Sequence, residues 1–241
     1  MPCWLVLPCR RASRPRSSSG TFLSCRGMAV KLKICGLMRP EDAAAAATAG
    51  ASYLGVVFAG GPRAVTQDQA SEIVAAAAGV PVLGVFARQP VEDILQIREQ
   101  VGLSGAQLHG PYARSDARRL RDAGLQVWRV VRIAVPSDLD LVSPAVPDSD
   151  AVLVEPWVAN ALGGSGISLD LAIAREARAR LAGHPMALAG GLTPDTVAEA
   201  LAVIRPEIVD VSSGIERRPG VKDPNKIRDF VEAVFAHSQI T

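Results

Sequence analysis

The stretch Lys31-Leu-Lys-Ile-Cys-Gly-Leu-Met-Arg39, followed by Pro40-Glu-Asp42, holds a strand, a turn and the start of a helix. Polar and apolar residues alternate from Lys31 to Ile34, which is the period of a strand. Gly36 then breaks the run. Pro40 suits the first turn of a helix, and the acidic pair after it suits the positive end of the helix dipole. The pattern predicts a strand that ends at Cys35 and a helix that begins near Pro40.

The same strand–helix unit recurs along the chain. Continuous apolar runs such as 53–58 are typical of parallel strands that are buried on both faces. Strands are predicted at 32–35, 53–58, 81–86, 105–109, 127–133, 151–155, 186–189 and 208–211. Helices are predicted between them, with only a weak, proline-interrupted segment at 136–147 and a helix capped by residues 193–195. Eight units of similar length predict an α/β protein, a single (β/α)8 TIM barrel over residues 28–241. An open doubly wound sheet fits this regularity less well.

Residues 1–27 differ in composition from the rest of the chain. They contain five arginines, several serines and no acidic residue. We expect this leader to be a disordered N-terminal extension. An Arg- and Ser-rich leader resembles an organelle transit peptide, but Met28 directly before the first strand favours an over-extended start. The expected location is therefore the cytoplasm, or a plastid if the leader is a real transit peptide.

Charge and cysteine usage narrow the functional classes. Residues 28–241 hold 21 basic and 24 acidic residues, a balance of −3, so nothing favours nucleic acid as a partner. No apolar run approaches the roughly 20 residues that cross a bilayer. Cys35 is the one cysteine of residues 28–241. An intramolecular disulfide is therefore excluded there, and a reducing compartment fits.

Polar residues stand where the predicted strands end, which is where barrel enzymes place their active groups. These residues are Cys35, Arg63, His109, Glu155 and Asp210. Three of them also have a purely structural interpretation: Cys35 as a buried small hydrophobe, Arg63 as a surface charge and His109 as a hydrogen-bonded core histidine. A reactive Cys35 would need a lowered pKa and partial exposure. Glu155 and Asp210 follow or interrupt buried aliphatic runs, so each must be paired or face a cleft.

Small-residue clusters follow the last three predicted strands. Loops after strands seven and eight commonly bind phosphate in these barrels, because glycines let backbone N–H groups approach its oxygens. Three clusters on successive strands predict a phosphate site. Its residues are Gly164, Ser165, Gly166, Gly190, Gly191, Ser212, Ser213 and Gly214.

These residues occur within longer motifs that span residues 31–235. The motifs are Lys33-Ile-Cys-Gly36, Arg39-Pro-Glu-Asp-Ala43, Tyr53-Leu-Gly-Val-Val-Phe58, Pro62-Arg63, Val85-Phe86, Gln107-Leu-His-Gly110, Gly163-Gly-Ser-Gly166, Ala189-Gly-Gly-Leu-Thr-Pro194, Val209-Asp-Val-Ser-Ser-Gly-Ile-Glu216 and Pro219-Gly-Val-Lys-Asp223. Together they resemble the phosphoribosylanthranilate isomerase family of tryptophan biosynthesis.

The resemblance implies an Amadori rearrangement of N-(5′-phosphoribosyl)anthranilate, the third step of tryptophan synthesis from chorismate, without a cofactor or a metal. It implies that Cys35 is the general base, that Arg63 contacts the anthranilate carboxylate, and that His109 and Asp210 also bind substrate. The expected partner is this small molecule, with no nucleic acid and no membrane, and the expected state is a monomer or homodimer.

One residue departs from the family pattern. Glu155 stands where the family has an aspartate as general acid, and its extra methylene moves the carboxyl group by roughly 1 Å. We expect Glu155 to be the acid. Two alternatives remain: a non-catalytic phosphosugar-binding barrel that lost its general acid, and a dual-specificity isomerase of histidine and tryptophan synthesis. Against the second, such barrels carry a carboxylate base where this chain has Cys35.

Overall fold

A computed structural model of the protein describes residues 30–158 and 169–238. Eight parallel strands pair in chain order and close into a barrel, because β1 pairs with both β2 and β8. The strands are β1 (Lys31–Ile34), β2 (Tyr53–Val57), β3 (Val82–Phe86), β4 (Gly105–Leu108), β5 (Gln126–Ile133), β6 (Ala151–Pro156), β7 (Met186–Ala189) and β8 (Ile208–Val211). The predicted (β/α)8 barrel is confirmed.

Helices follow the strands on the outside of the barrel. They are α1 (Pro40–Ala49), α2 (Gln67–Ala76), α3 (Val91–Val101), α4 (Arg114–Asp122), α5 (Val142–Ala145), α6 (Leu171–Arg180), α7 (Val197–Ile204) and α8 (Pro224–Ser238). The weak segment after β5 is a 3₁₀ helix, Pro136–Leu141, followed by the four-residue α5. The predicted cap of α7 at 193–195 is wrong, because the helix begins later. The Thr193 N–H bonds Thr196 Oγ1 at 3.0 Å, which makes a turn before the helix.

Two layers of apolar side chains fill the molecule, one between barrel and helices and one inside the barrel. In the inner layer Tyr53 and Trp128 meet edge to face, with ring centroids 5.1 Å apart. Val130 and Leu153 belong to the same layer. Successive side chains of a strand point to opposite faces. Residues two positions beyond the inner layer therefore point into the C-terminal mouth of the barrel.

An unpredicted two-stranded hairpin follows β8. A short 3₁₀ helix, Ser213–Ile215, leads into β9 (Glu216–Arg218) and β10 (Val221–Lys222), which pair antiparallel. The Lys222 N–H donates to Asp42 Oδ2 at 3.1 Å, and Asp42 also accepts from the Arg39 guanidinium. The hairpin after β8 is thus hydrogen-bonded to the start of α1, which follows β1.

Two sequence predictions concern residues that the structure does not describe. The leader 1–27 and the glycine cluster 163–166, with its predicted phosphate ligands Gly164, Ser165 and Gly166, lie outside the described residues. Over residues 30–158 and 169–238, none of the helices has the length and apolar character that a bilayer span requires.

Candidate active site

A cleft of about 470 Å³ opens at the C-terminal ends of the strands. A volume of this size is typical of small-molecule sites. Every strand-end residue singled out in the sequence lines it, as do the two described small-residue clusters. These lining residues are Cys35, Arg63, His109, Glu155, Asp210, Gly190, Gly191, Ser212, Ser213 and Gly214. The barrel therefore brings together all the predicted site residues that the structure describes.

Cys35 directly follows β1 and continues its ladder, since its N–H donates to Val211 O at 2.9 Å. Its neighbour on β2 is Gly55, where an added Cβ would lie 2.7 Å from the Cys35 sulfur. Only glycine leaves room for the thiol there. The side chain is buried, and burial raises the pKa of the thiol, which Lys33 partly opposes. Cys35 is therefore more buried, and its pKa higher, than in the partly exposed thiols that usually act as reactive groups.

Lys33 is a functional candidate that sequence reasoning missed. Its side chain is fully buried, and its Nζ lies 2.8 Å from Asp210 Oδ2. Burial disfavours the charge, but Asp210 and Cys35 outweigh it and raise the pKa of Lys33, so the ammonium stays charged. Strand alternation in the sequence could have identified it, because Lys33 lies two residues before Cys35 and the two side chains therefore share a face of the strand.

Glu155 lies inside β6, one residue before the strand ends, and is 5% exposed. Its Oε1 is 3.3 Å from Arg132 Nε and 3.6 Å from His109 Nδ1. Burial raises the pKa of Glu155 to about 7, against the opposing charge of Arg132. A carboxyl group with this pKa is partly protonated at neutral pH, which is the property required of a general acid.

His109 is buried between Glu155 and Gln107. Burial, together with Lys33 and Arg132, lowers the pKa of His109 to about 3, so the ring is neutral. Gln107 Nε2 donates to His109 Nε2 at 2.6 Å, which places the ring proton on Nδ1, facing Glu155. His109 is not a core histidine with both ring nitrogens hydrogen-bonded, because Nδ1 lacks a hydrogen-bond partner among the described residues.

Unsatisfied polar atoms concentrate in this cleft. Buried polar groups in native proteins are nearly always hydrogen-bonded, so a cluster without partners marks a place where a polar ligand binds. Four lining residues carry such an atom within the described part of the chain: Gln107 Oε1, His109 Nδ1, Glu155 Oε1 and Asp210 Oδ1. The mouth of the barrel is built for a ligand with several polar groups.

Arg63 lines the cleft from the loop after β2, and its guanidinium is held by a residue that follows β8, the strand on the far side of β1. Its Nε and Nη2 donate to the two Glu216 carboxylate oxygens at 2.8 and 2.7 Å. Lys222 Nζ contacts the same carboxylate at 2.8 Å and donates to Ser212 O at 3.1 Å. Sequence reasoning missed Glu216 and Lys222 as site residues, because only the fold of the hairpin brings them to Arg63.

The two described small-residue clusters lie on adjacent strand ends, since β7 and β8 pair in parallel. Gly190 and Gly191 follow β7 with φ of +100° and +63°. This left-handed conformation is accessible to glycine at little cost, and it turns the chain sharply at the end of the strand. The 3₁₀ turn with Ser213 and Gly214 follows β8.

A closed parallel barrel with titratable groups and glycine turns at its C-terminal mouth defines a (β/α)8-barrel enzyme. Residues 32–233 match the family model described as N-(5'phosphoribosyl)anthranilate (PRA) isomerase, so the chain belongs to this family.

Individual relatives agree with this assignment. The chain is 38% identical to N-(5'-phosphoribosyl)anthranilate isomerase of Pseudomonas fluorescens, covering 86% of this chain and 96% of the relative. It is also 38% identical to the Rubrobacter xylanophilus enzyme of the same name, covering 84% and 98%. The crystal structure of phosphoribosyl anthranilate isomerase from Thermotoga maritima superposes with a TM-score of 0.77 at 29% identity, covering 85% of this chain and 98% of that one.

Proposed function

We propose that the protein isomerises N-(5′-phosphoribosyl)anthranilate to 1-(2-carboxyphenylamino)-1-deoxy-D-ribulose 5-phosphate, with Glu155 as general acid and Cys35 as general base. The observation that carries the reaction is the family match over 32–233, which spans the whole barrel. A related crystal structure, 28% identical with a TM-score of 0.74, holds the isomerase in complex with a reduced form of this product. The alternative of a non-catalytic barrel has no support from these relatives.

The first step is ring opening. The protonated Glu155 carboxyl group donates its proton to the ribose ring oxygen, the C1′–O bond breaks, and an iminium ion forms. A pKa of about 7 supports this role, because such a group gives up a proton readily near neutral pH. His109 is neutral, and its Nδ1 lies 3.6 Å from the Glu155 carboxyl group, so the ring adds no charge beside the carboxylate that remains.

The second step is proton removal from C2′. The Cys35 thiolate accepts this proton, the C–H electron pair forms the enolamine, and tautomerisation gives the ketone. Burial raises the pKa of the Cys35 thiol, so the productive form, in which Cys35 is the thiolate and Glu155 keeps its proton, is a minor one at neutral pH. The buried ammonium of Lys33 raises the population of this form, since its charge stabilises the thiolate.

The remaining polar residues bind the two ends of the substrate. Arg63, fixed by Glu216, presents its guanidinium to the anthranilate carboxylate, and Asp210 contacts the sugar. The turns at Gly190–Gly191 and 212–214 take the phosphate. The predicted cluster at Gly164–Gly166 completes this phosphate site in the proposal.

The reaction is tested directly with the substrate. N-(5′-phosphoribosyl)anthranilate is expected to lose its anthranilate fluorescence when the protein is added, at a rate proportional to protein concentration. The product is then identified by mass spectrometry after borohydride reduction, because isomerisation leaves the mass unchanged and creates a reducible ketone. Binding of the substrate without any fluorescence loss would support the non-catalytic alternative instead.

The phosphate turns give a second prediction. Gly191→Val is expected to raise KM by about tenfold or more with a smaller change in kcat, because valine does not tolerate a φ of +63° and would displace the turn. Inorganic phosphate is expected to compete with substrate. Gly183→Val is the matched control: Gly183 also has positive φ, at +89°, but its Cβ would meet open space and it lies outside the cleft. An unchanged KM in Gly191→Val would place the phosphate elsewhere.

The assembly state and the location stay predictions. A structure of mutually generated monomers of the dimeric isomerase from Thermotoga maritima resembles this chain at 30% identity, with a TM-score of 0.75 over 85% of this chain and 98% of that one. It accords with our expectation of a monomer or a homodimer here. We retain the cytoplasm as the expected location, with a plastid as the alternative.

A further inference from the structure

We propose that Arg132 positions the general acid: from the neighbouring strand it holds the Glu155 carboxyl group in one place in the barrel mouth. The proposal rests on the proposed function, because it takes Glu155 as the acid. Arg132 is then a positioning residue, since of these two residues Glu155 is the one that touches the substrate. Neither the sequence motifs nor the family match assigns Arg132 a role.

The register of the barrel places the two side chains next to each other. Strands β5 and β6 pair in parallel with Arg132 opposite Glu155. Two residues earlier, Val130 lies opposite Leu153, and both belong to the layer inside the barrel. Because side chains alternate along a strand, Arg132 and Glu155 both point into the mouth, one step above that layer.

The contacts fix the guanidinium at two points. Arg132 Nε lies 3.3 Å from Glu155 Oε1, and the two side chains are 18% and 6% exposed. Arg132 Nη2 also donates to Val158 O at 3.2 Å, beyond the end of β6. The backbone contact places the guanidinium next to Glu155, so its positive charge lies within ion-pair distance of the carboxyl group.

Glu155 needs such a neighbour because its side chain is long. A glutamate has one more rotatable bond than the aspartate of the family pattern, so its carboxyl group can occupy more positions. A displacement of about 1 Å in a catalytic group can lower the rate by about a hundredfold. Among the described residues around it, His109 is neutral, and Lys33 is bound to Asp210 at 2.8 Å, so neither holds the carboxyl group in place.

The charge of Arg132 also acts on the acid. Four groups of the described residues face the Glu155 carboxyl: His109 directly after β4, Arg132 on β5, Lys33 on β1 and Asp210 on β8. Burial raises the pKa of Glu155 to about 7; Arg132 and Lys33 lower it and Asp210 raises it, with Arg132 the largest of the three charges. Removing the Arg132 charge therefore raises the pKa further, which makes Glu155 a weaker acid.

The test compares Arg132→Gln with Arg129→Gln. Arg129 lies on the same strand, outside the cleft, where it donates to Pro144 O and Tyr112 O. Arg132→Gln is expected to lower kcat by about ten- to a hundredfold with KM nearly unchanged. It is also expected to raise the Glu155 pKa by about one unit. That pKa is read from the NMR signal of ¹³Cδ-labelled glutamate that disappears in Glu155→Gln. Arg129→Gln is expected to change neither quantity.

A second set of variants separates position from charge. Arg132→Lys keeps the charge but not the planar fork, so kcat is expected to fall while the Glu155 pKa stays near its wild-type value. In a Glu155→Asp background, Arg132→Gln is expected to lower kcat by a smaller factor, because the shorter side chain no longer needs holding. An equal factor in both backgrounds would show that Arg132 does not act through Glu155.

The outcomes distinguish this proposal from the proposed function. If Arg132→Gln keeps wild-type kcat and an unshifted Glu155 pKa while Glu155→Gln is inactive, the positioning role is overturned and the acid assignment survives. If Glu155→Gln itself turns over substrate normally, the acid assignment fails first, and with it the basis for a role of Arg132.

Discussion

Cys35→Ser is expected to lower kcat by about 10² to 10⁴, which is the usual contribution of a general base, while substrate still binds. A hydroxyl is far less acidic than a thiol, so serine offers almost no conjugate base to take the C2′ proton. The buried Lys33 ammonium cannot compensate, because a stabilising charge of this kind shifts a pKa by only about 1 to 3 units. The assay is fluorescence loss under saturating substrate.

Controls distinguish lost chemistry from lost structure. Serine is slightly smaller than cysteine, so it fits beside Gly55, where the space around the sulfur is tight. The melting temperature and the KM of Cys35→Ser should therefore stay close to those of the wild type. Retention of near wild-type kcat would show that another group is the base, with Asp210, whose charge acts on Cys35, the first carboxylate to examine.

The barrel itself was predictable because its signal is repeated eight times along the chain. Glycines and prolines separate the apolar runs, so an error in one element, such as the start of α7, does not change the number of strand–helix units predicted. Strand-end residues were predictable for the same reason. The fold places the C-terminal ends of all parallel strands at one mouth, so Cys35, His109, Glu155 and Asp210 had to meet.

The electrostatics of the site were not predictable in this way. Whether Cys35 has a raised or lowered pKa depends on how completely the barrel buries it and on its distance to Lys33, and spacing in the sequence gives neither. The pairing of Arg63 with Glu216 joins residues 153 positions apart through a hairpin that had no sequence signal. Arg132 could have been found from strand alternation, but only once the register of β5 against β6 was known.

The last prediction concerns Glu155→Gln, which keeps the size and polarity of the side chain but has no proton to donate. It is expected to lower kcat by about 10² or more, because ring opening then lacks its acid. Glu155→Asp, the family's residue, is expected to keep substantial activity and serves as the matched control. Normal turnover by Glu155→Gln would require another acid, with Asp210 the first candidate.

The same variant has a pH signature in stability. The Glu155 pKa rises from an ordinary 4.5 to about 7 on folding, so the folded protein holds this proton more tightly than the unfolded chain does. Stability from this group is complete below pH 4.5 and is lost as the pH rises to about 7. At 1.36 kcal/mol per pKa unit, the loss amounts to about 3 kcal/mol. The wild type is therefore expected to lose about that much stability relative to Glu155→Gln between pH 4.5 and 7.5 in urea titrations. A constant difference would mean that Glu155 carries an unshifted pKa and is too weakly basic to be half-protonated at neutral pH, which would remove the main support for its role as the acid.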